Sequence, residues 1–152
     1  MKKYSFPLGR IRDYKVQLLD REKNILAGLN NEKNQHLARI EQLKLDYIFI
    51  DDEMKVEYRK GTNINKIQIF AYRKDAVRQE EEQIKERIKI LDKAIDKQRG
   101  IVMKISQEVE GYNKLEEKTR EEYNEELRKE TENTLGEFIS TKLGAGLQAT
   151  DD

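Results

Sequence analysis

The stretch IQIFAYRKDAVRQEEEQIKERIKILDKAIDKQRGIVMKISQEVEGY, Ile67 to Tyr112, decides the fold. Ile67, Phe70, Val77, Ile84, Ile88, Leu91, Ile95, Val102, Ile105, Val109 and Tyr112 fall on one seam of alternating three- and four-residue steps, with Lys74, Glu81 and Gln98 as its polar members. Between Ile84 and Tyr112 only Gln98 interrupts the apolar series. A heptad kept this long is a coiled-coil signal, which a disordered chain does not carry. Lys, Arg and Glu crowd the flanking positions, as a solvated two-stranded coil requires.

Working outward, the first part of the chain carries a similar seam. Leu8, Ile11, Leu18, Ile25 and Leu29 step by three and four with Lys15 and Glu22 between them, and Ile40, Leu43, Tyr47, Ile50 and Met54 do the same. The two tracts do not share one register, so a stutter that locally unwinds the supercoil is expected between Ile25 and Ile40, where Gly28 and His36 lie. His36 reads as a tolerated polar seam residue, not a ligand. Between the arms lies KGTNINK, Lys60 to Lys66, whose Gly and Asn residues favour a turn. Helix, short turn, helix implies an antiparallel hairpin.

The expected fold is therefore all-α, a long two-helix antiparallel coiled coil in one domain, 1–143. Helix one spans about 7–59, starting at Pro7, the turn about 60–66, and helix two about 67–140, and the tail GAGLQATDD, 144–152, is expected to be disordered. Counting from the turn sets Tyr58 opposite Ile67, Tyr47 opposite Arg78 or its neighbours, and Leu8 opposite about Glu117. Arm one is then roughly 75 Å long and arm two roughly 110 Å, leaving an overhang of roughly 30 Å at 1.5 Å per residue.

In that overhang Leu115, Thr119, Tyr123, Leu127, Thr131 and Leu135 recur every fourth residue. Such a row advances by roughly 40° per step and winds around the helix, so it cannot feed a long partner helix in its own chain. Glu116 with Arg120 and Glu125 with Lys129 stand at i, i+4 in the favourable order and support a helix without a packed seam. Such a segment is either a solvated end or a helix awaiting an external partner.

Composition narrows the function. The 152 residues carry 30 basic and 30 acidic side chains, one His, no Cys and one Pro. Zero net charge lacks the basic excess of a nucleic-acid binder. Without Cys there is neither a disulfide frame nor thiolate chemistry. The longest apolar run, Tyr47 to Ile50, is far too short to span a membrane. The start MKKYSFPLG lacks a signal peptide's apolar core, so a cytoplasmic location is expected. The first 23 residues hold seven basic against three acidic side chains, but their apolar residues belong to the coil seam, which disfavours a membrane-surface helix.

No nucleophile–base pair and no glycine-rich phosphate loop is present, and Asp51, Asp52 and Glu53 diverge by roughly 100° per residue on a helix. Neither catalytic residues, a cofactor nor a metal site is expected. The aromatics Tyr47, Phe49, Tyr58, Phe70 and Tyr72 cluster near the turn. Tyr47 and Phe70 lie on seams, whereas Phe49 and Tyr72 are off-seam, as a docking patch or as incidental surface aromatics.

The architecture and both ends resemble the FliJ family of flagellar export proteins. The match lies in YSFPLGRIRDYKVQLLDREKNILAGL, Tyr4 to Leu29, and LEEKTREEYNEELRKETENTLGEFIS, Leu115 to Ser140. Tyr123 fits the family's charged terminal helix, while Gly136-Glu137 stands where the family has an acidic pair. The resemblance implies a non-enzymatic stalk that inserts its terminal end into the hexameric flagellar export ATPase. It also implies contact with the cytosolic domain of the export gate and escort of export chaperones. Membrane association would be peripheral, through the export apparatus alone, with no nucleic-acid partner. On this reading Ile11, Leu18, Leu115, Thr119, Tyr123, Leu127 and Leu135 would meet the ATPase ring, and Tyr47, Phe49, Phe70 and Tyr72 the gate. The equivalent stalk of a type III secretion injectisome and a generic structural coiled-coil tether remain the alternatives.

Overall fold

The computed structural model describes residues 2–150, with side chains through 146. It is an all-α helical hairpin: α1 spans Gly9–Lys60 and α2 spans Ile64–Thr150. The turn is shorter than expected because both of its ends are capped. Gly61 adopts φ +82°, the left-handed conformation that ends a helix without a Cβ penalty, and its N–H donates to the Tyr58 carbonyl at 3.3 Å. Two residues on, the Asn63 side-chain oxygen accepts from the Lys66 N–H at 3.0 Å and caps α2. Arg59 and Lys60 place positive charge at the negative end of the α1 dipole. At the other end Pro7 precedes the helix in a turn that the Gly9 N–H closes on the Phe6 carbonyl at 3.1 Å.

α2 continues to Thr150, beyond the expected end near 140. The expected tail 144–152 is thus helical as far as Thr150. Residues 151 and 152, and the side chains of 147–150, lie outside the described residues.

Contacts divide the hairpin into two units. One comprises Leu18–Lys104 and contains the turn; the other comprises Met1–Gln17 with Ile105–Asp152. In the turn unit Leu19, Ile40, Leu43 and Ile50 of α1 and Leu91 and Ile95 of α2 form the core. The helices run antiparallel there. Asp51 meets Lys74 at 2.5 Å, Tyr47 meets Arg78 at 2.5 Å, and Glu32 meets Arg87 at 2.9 Å. The Tyr47–Arg78 contact follows the register counted from the turn. Gln98 is buried on the seam and donates to the Glu22 carbonyl at 3.0 Å and to its carboxylate. In the terminal unit Ile105 and Val109 are buried, Lys15 pairs with Glu108 at 2.8 Å, and Arg12 pairs with Glu116.

The α2 seam is the one read from the sequence: every position from Ile67 to Tyr112 is buried or half-buried. The α1 seam differs. Ile11 and Ile25 are 46% and 50% exposed, and their places are taken by Arg12 and Leu26. The covered positions run Leu8, Arg12, Lys15, Leu19, Glu22, Leu26, Leu29, Lys33, His36, Ile40, Leu43, Tyr47, Ile50 and Met54. That is one unbroken heptad, and the stutter expected between Ile25 and Ile40 is absent. The physical reason is that Lys and Arg lay their aliphatic stems on the seam and send their charges to partners. Lys33 reaches Asp92 at 2.6 Å, just as Arg12 and Lys15 reach Glu116 and Glu108. Counting apolar residues alone rejects these positions. His36 stands on this seam, half-buried, with Nε2 3.6 Å from the Glu32 carboxylate.

Candidate partner-docking surfaces

The terminal unit contains the first candidate surface. Residues 2–8 precede α1 without helical structure and lie along α2 as a strap. The Tyr4 hydroxyl sits 2.9 Å from Thr119 Oγ1 and 3.2 Å from the Glu116 carbonyl. The Tyr123 hydroxyl donates to the Lys2 carbonyl at 2.6 Å. The Tyr4 and Tyr123 rings are 5.5 Å apart, and the Arg120 guanidinium lies 5.0 Å from the Tyr4 ring centre. Glu116, Thr119 and Tyr123 continue the heptad seam of α2, so the strap takes over from α1 where that helix has not yet begun.

Beyond Tyr123 no described residue from elsewhere in the chain covers α2, and every described side chain from 124 to 146 is exposed. The segment is polar, yet Leu127, Leu135, Phe138, Ile139 and Leu143 stand open to solvent. Leu127, Thr131, Thr134, Leu135 and Phe138, with Glu130, line a shallow groove. Thr131 and Thr134 belong there because their hydroxyls donate to the carbonyls of Leu127 and Glu130, each at 2.9 Å. Their polar atoms are thereby satisfied by the helix itself, leaving the methyl groups for the surface. Arg128 bridges Glu125 at 2.9 Å and Glu132 at 3.3 Å, and its hydrogen bond holds the Glu125 carboxyl below the usual range.

The sequence-derived terminal residues separate in this structure. Leu115, Leu127 and Leu135 are exposed, as is Ile11. Thr119 and Tyr123 are half-buried under the strap, and Leu18 is half-buried in the turn unit. Phe138 and Ile139 were not among them, because a strict four-residue row misses them; a count at three and four would have found Phe138.

The second candidate surface lies in the turn unit. Phe49, 61% exposed, and Phe70 share a groove with Val56 and the carboxylates of Asp52, Glu53 and Glu57. Phe70 also faces a neighbouring groove with Lys66, Ile69 and Arg73, and the Arg73 guanidinium lies 5.7 Å from its ring centre. Tyr47 is half-buried, with Lys74 at 5.2 Å and Arg78 at 5.1 Å from its ring centre. Tyr72 is 76% exposed and is not a wall of either groove. The structure thus brings Phe49 and Phe70 together and leaves Tyr72 apart.

Among the described residues no group of three or more His, Cys, Asp or Glu is placed to hold a metal ion. No described helix is long and apolar enough to cross a membrane. The surfaces on offer are shallow and helical, of the kind that meets another protein. The family model described as Flagellar FliJ protein matches residues 4–143, which takes in most of the strap, all of α1 and α2 as far as Leu143. The chain belongs to the FliJ family. No curated protein and no solved structure matches it. Membership places the chain among flagellar export components, a family of non-catalytic parts in protein transport.

Proposed function

We propose that this chain is a non-enzymatic stalk of the flagellar type III export apparatus, acting in the cytoplasm and reaching the membrane only through that apparatus. Its terminal end enters the hexameric export ATPase; its turn unit meets the cytosolic domain of the export gate and helps to escort chaperones. The observation that carries the reading is the helix 124–146, which shows leucine and phenylalanine to solvent along a segment that no other described part of the chain packs. A helix continuing from a stable coil needs no new nucleus, so it can be presented preformed. Ile11 and Leu115 would join the ring contact as exposed residues near its base. Thr119 and Tyr123 would take part through the strap that they hold. Phe49 and Phe70, which share a groove, are the better candidates for the gate, with Tyr47 in a separate groove beside Ile48 and Arg78 and Tyr72 as a further anchor.

Family membership favours the flagellar reading over an injectisome stalk. The test is the hydrolysis rate of the cognate flagellar export ATPase with the full chain and with a chain ending at Tyr123. The shortened chain keeps the hairpin and strap, so it folds, and it should no longer stimulate. Equal stimulation by both chains would sink ring insertion through 124–146.

A further inference from the structure

The seam of α2 changes character where the strap ends. Through the terminal unit it reads Ile105, Val109, Tyr112, Glu116, Thr119 and Tyr123, all buried or half-buried. The same three-and-four stepping then lands on Glu126, Glu130, Asn133 and Glu137. A partner packed on the helix as α1 is packed would have to bury three carboxylates, a costly arrangement. The apolar walls of the groove, Leu127, Thr131, Thr134, Leu135 and Phe138, lie to one side of this row, and Glu130 belongs to both. At roughly 100° per residue the centre of these apolar walls is rotated by roughly 110° from that acidic row, whose glutamates form one border of the stripe.

We infer that the helix beyond Tyr123 docks by this rotated stripe into an apolar groove whose rim is basic along the side that meets Glu126, Glu130 and Glu137. The inference deepens the ring-insertion reading and rests on it for the partner's identity, the export ATPase. Two observations favour such an occupant. The stripe is shaped for close approach, since its threonines satisfy their hydroxyls within the helix and leave the groove apolar. The charge is net acidic: residues 124–146 hold five glutamates against Arg128, Lys129 and Lys142; Arg128 is engaged by Glu125 and Glu132 on the far border, and Lys142 lies 5.2 Å from the Phe138 ring centre at the C-terminal end of the stripe. A second copy packed on it through the same segment, 124–146, would bring another net-acidic helix to this surface. A partner with a basic rim complements it and gains a salt-dependent encounter rate.

The test uses the full-length chain and the purified cognate export ATPase, with Kd measured at low and at moderately high salt. One variant carries Glu126→Gln, Glu130→Gln and Glu137→Gln. A charge-matched control carries Glu41→Gln, Glu82→Gln and Glu86→Gln, all exposed in the turn unit. A third carries Leu127→Ser and Phe138→Ser. All sites are exposed, so circular dichroism should be unchanged. The acidic-row variant should bind about tenfold more weakly at low salt and lose most of the salt dependence. The control should stay within about twofold, and the stripe variant should lose about a hundredfold. If the acidic-row variant binds like the wild type, with the same salt dependence, while the stripe variant fails, the basic rim is wrong and ring insertion stands. If the wild type does not bind at all, both fall. If the wild type forms a dimer in sedimentation that the stripe variant abolishes, the stripe belongs to a second copy and the inference is overturned.

Discussion

Leu91 and Ile90 are adjacent on α2, yet they are 1% and 58% exposed. Replacing each by alanine isolates the seam from everything else that the helix contributes. Leu91 loses the transfer free energy of a fully buried side chain, about 1.5–3 kcal/mol. To that is added the cavity, which brings buried Leu→Ala changes to about 2–5 kcal/mol. A two-helix layer has only one facing helix, so the gap is partly filled by relaxation and by water at its edges. The expected cost is therefore about 2–3 kcal/mol, in the lower half of that range. Ile90→Ala removes an exposed branched side chain and installs the best helix former, so the two effects nearly cancel and the change stays within about 0.5 kcal/mol. Urea unfolding followed by far-UV circular dichroism reads both, with the m-value showing whether the same surface unfolds. A Leu91→Ala cost below about 1 kcal/mol, or equal costs at the two positions, would refute the seam as the source of stability.

Gln98→Leu replaces a buried amide that donates to Glu22. Since Glu22 is only half-buried and regains water, the urea midpoint should rise, while broader amide resonances around 98 should report a looser register; a lower midpoint would show the Gln98 bonds to be net stabilising. Glu32 is held below its ordinary value of 4.5 by the hydrogen bond from Arg87, and Asp51 below 3.8 by that from Lys74. Their contribution is thus complete above the ordinary values and fades as pH falls through the lower folded ones, so Glu32→Gln with Asp51→Asn should lower Tm at pH 7 and converge with wild type in acid. A constant gap at every pH would disprove that linkage. Hydrogen exchange should show slow amides up to Tyr123 and fast ones from 124 to 150; Tyr4→Ala should speed exchange at 116–123 alone. Uniform protection to residue 150 would show that the terminal helix is held by its own chain.

The hairpin was legible because its strongest signals are local. The α2 seam from Ile67 to Tyr112 is dense enough in Ile, Leu and Val for periodicity to fix the buried face. Gly61 and Asn63 mark the turn by backbone requirements that single residues satisfy. α1 was less legible. Ile11 and Ile25 look like seam residues, whereas Arg12, Lys15 and Lys33 do not, because sequence shows hydrophobicity and not the partner that makes a charged side chain acceptable. Only the facing carboxylates Glu116, Glu108 and Asp92 settle the register, and they lie on the other helix.

The candidate surfaces divide in the same way. The sequence alone determined that α2 outlasts α1, that its overhang is helical by i, i+4 pairing as far as about residue 140, and that aromatics gather near the turn. Each of these depends on spacing along one chain. Tertiary structure decided which of those residues are free. It committed Thr119 and Tyr123 to the strap through Tyr4 and Lys2, moved the start of the uncovered helix to Asn124, and joined Phe49 to Phe70 while leaving Tyr72 outside. The reason is that exposure belongs to a pair of surfaces: a residue is available only where no distant part of the chain reaches it, and contacts across more than a hundred residues leave no periodic trace in the sequence.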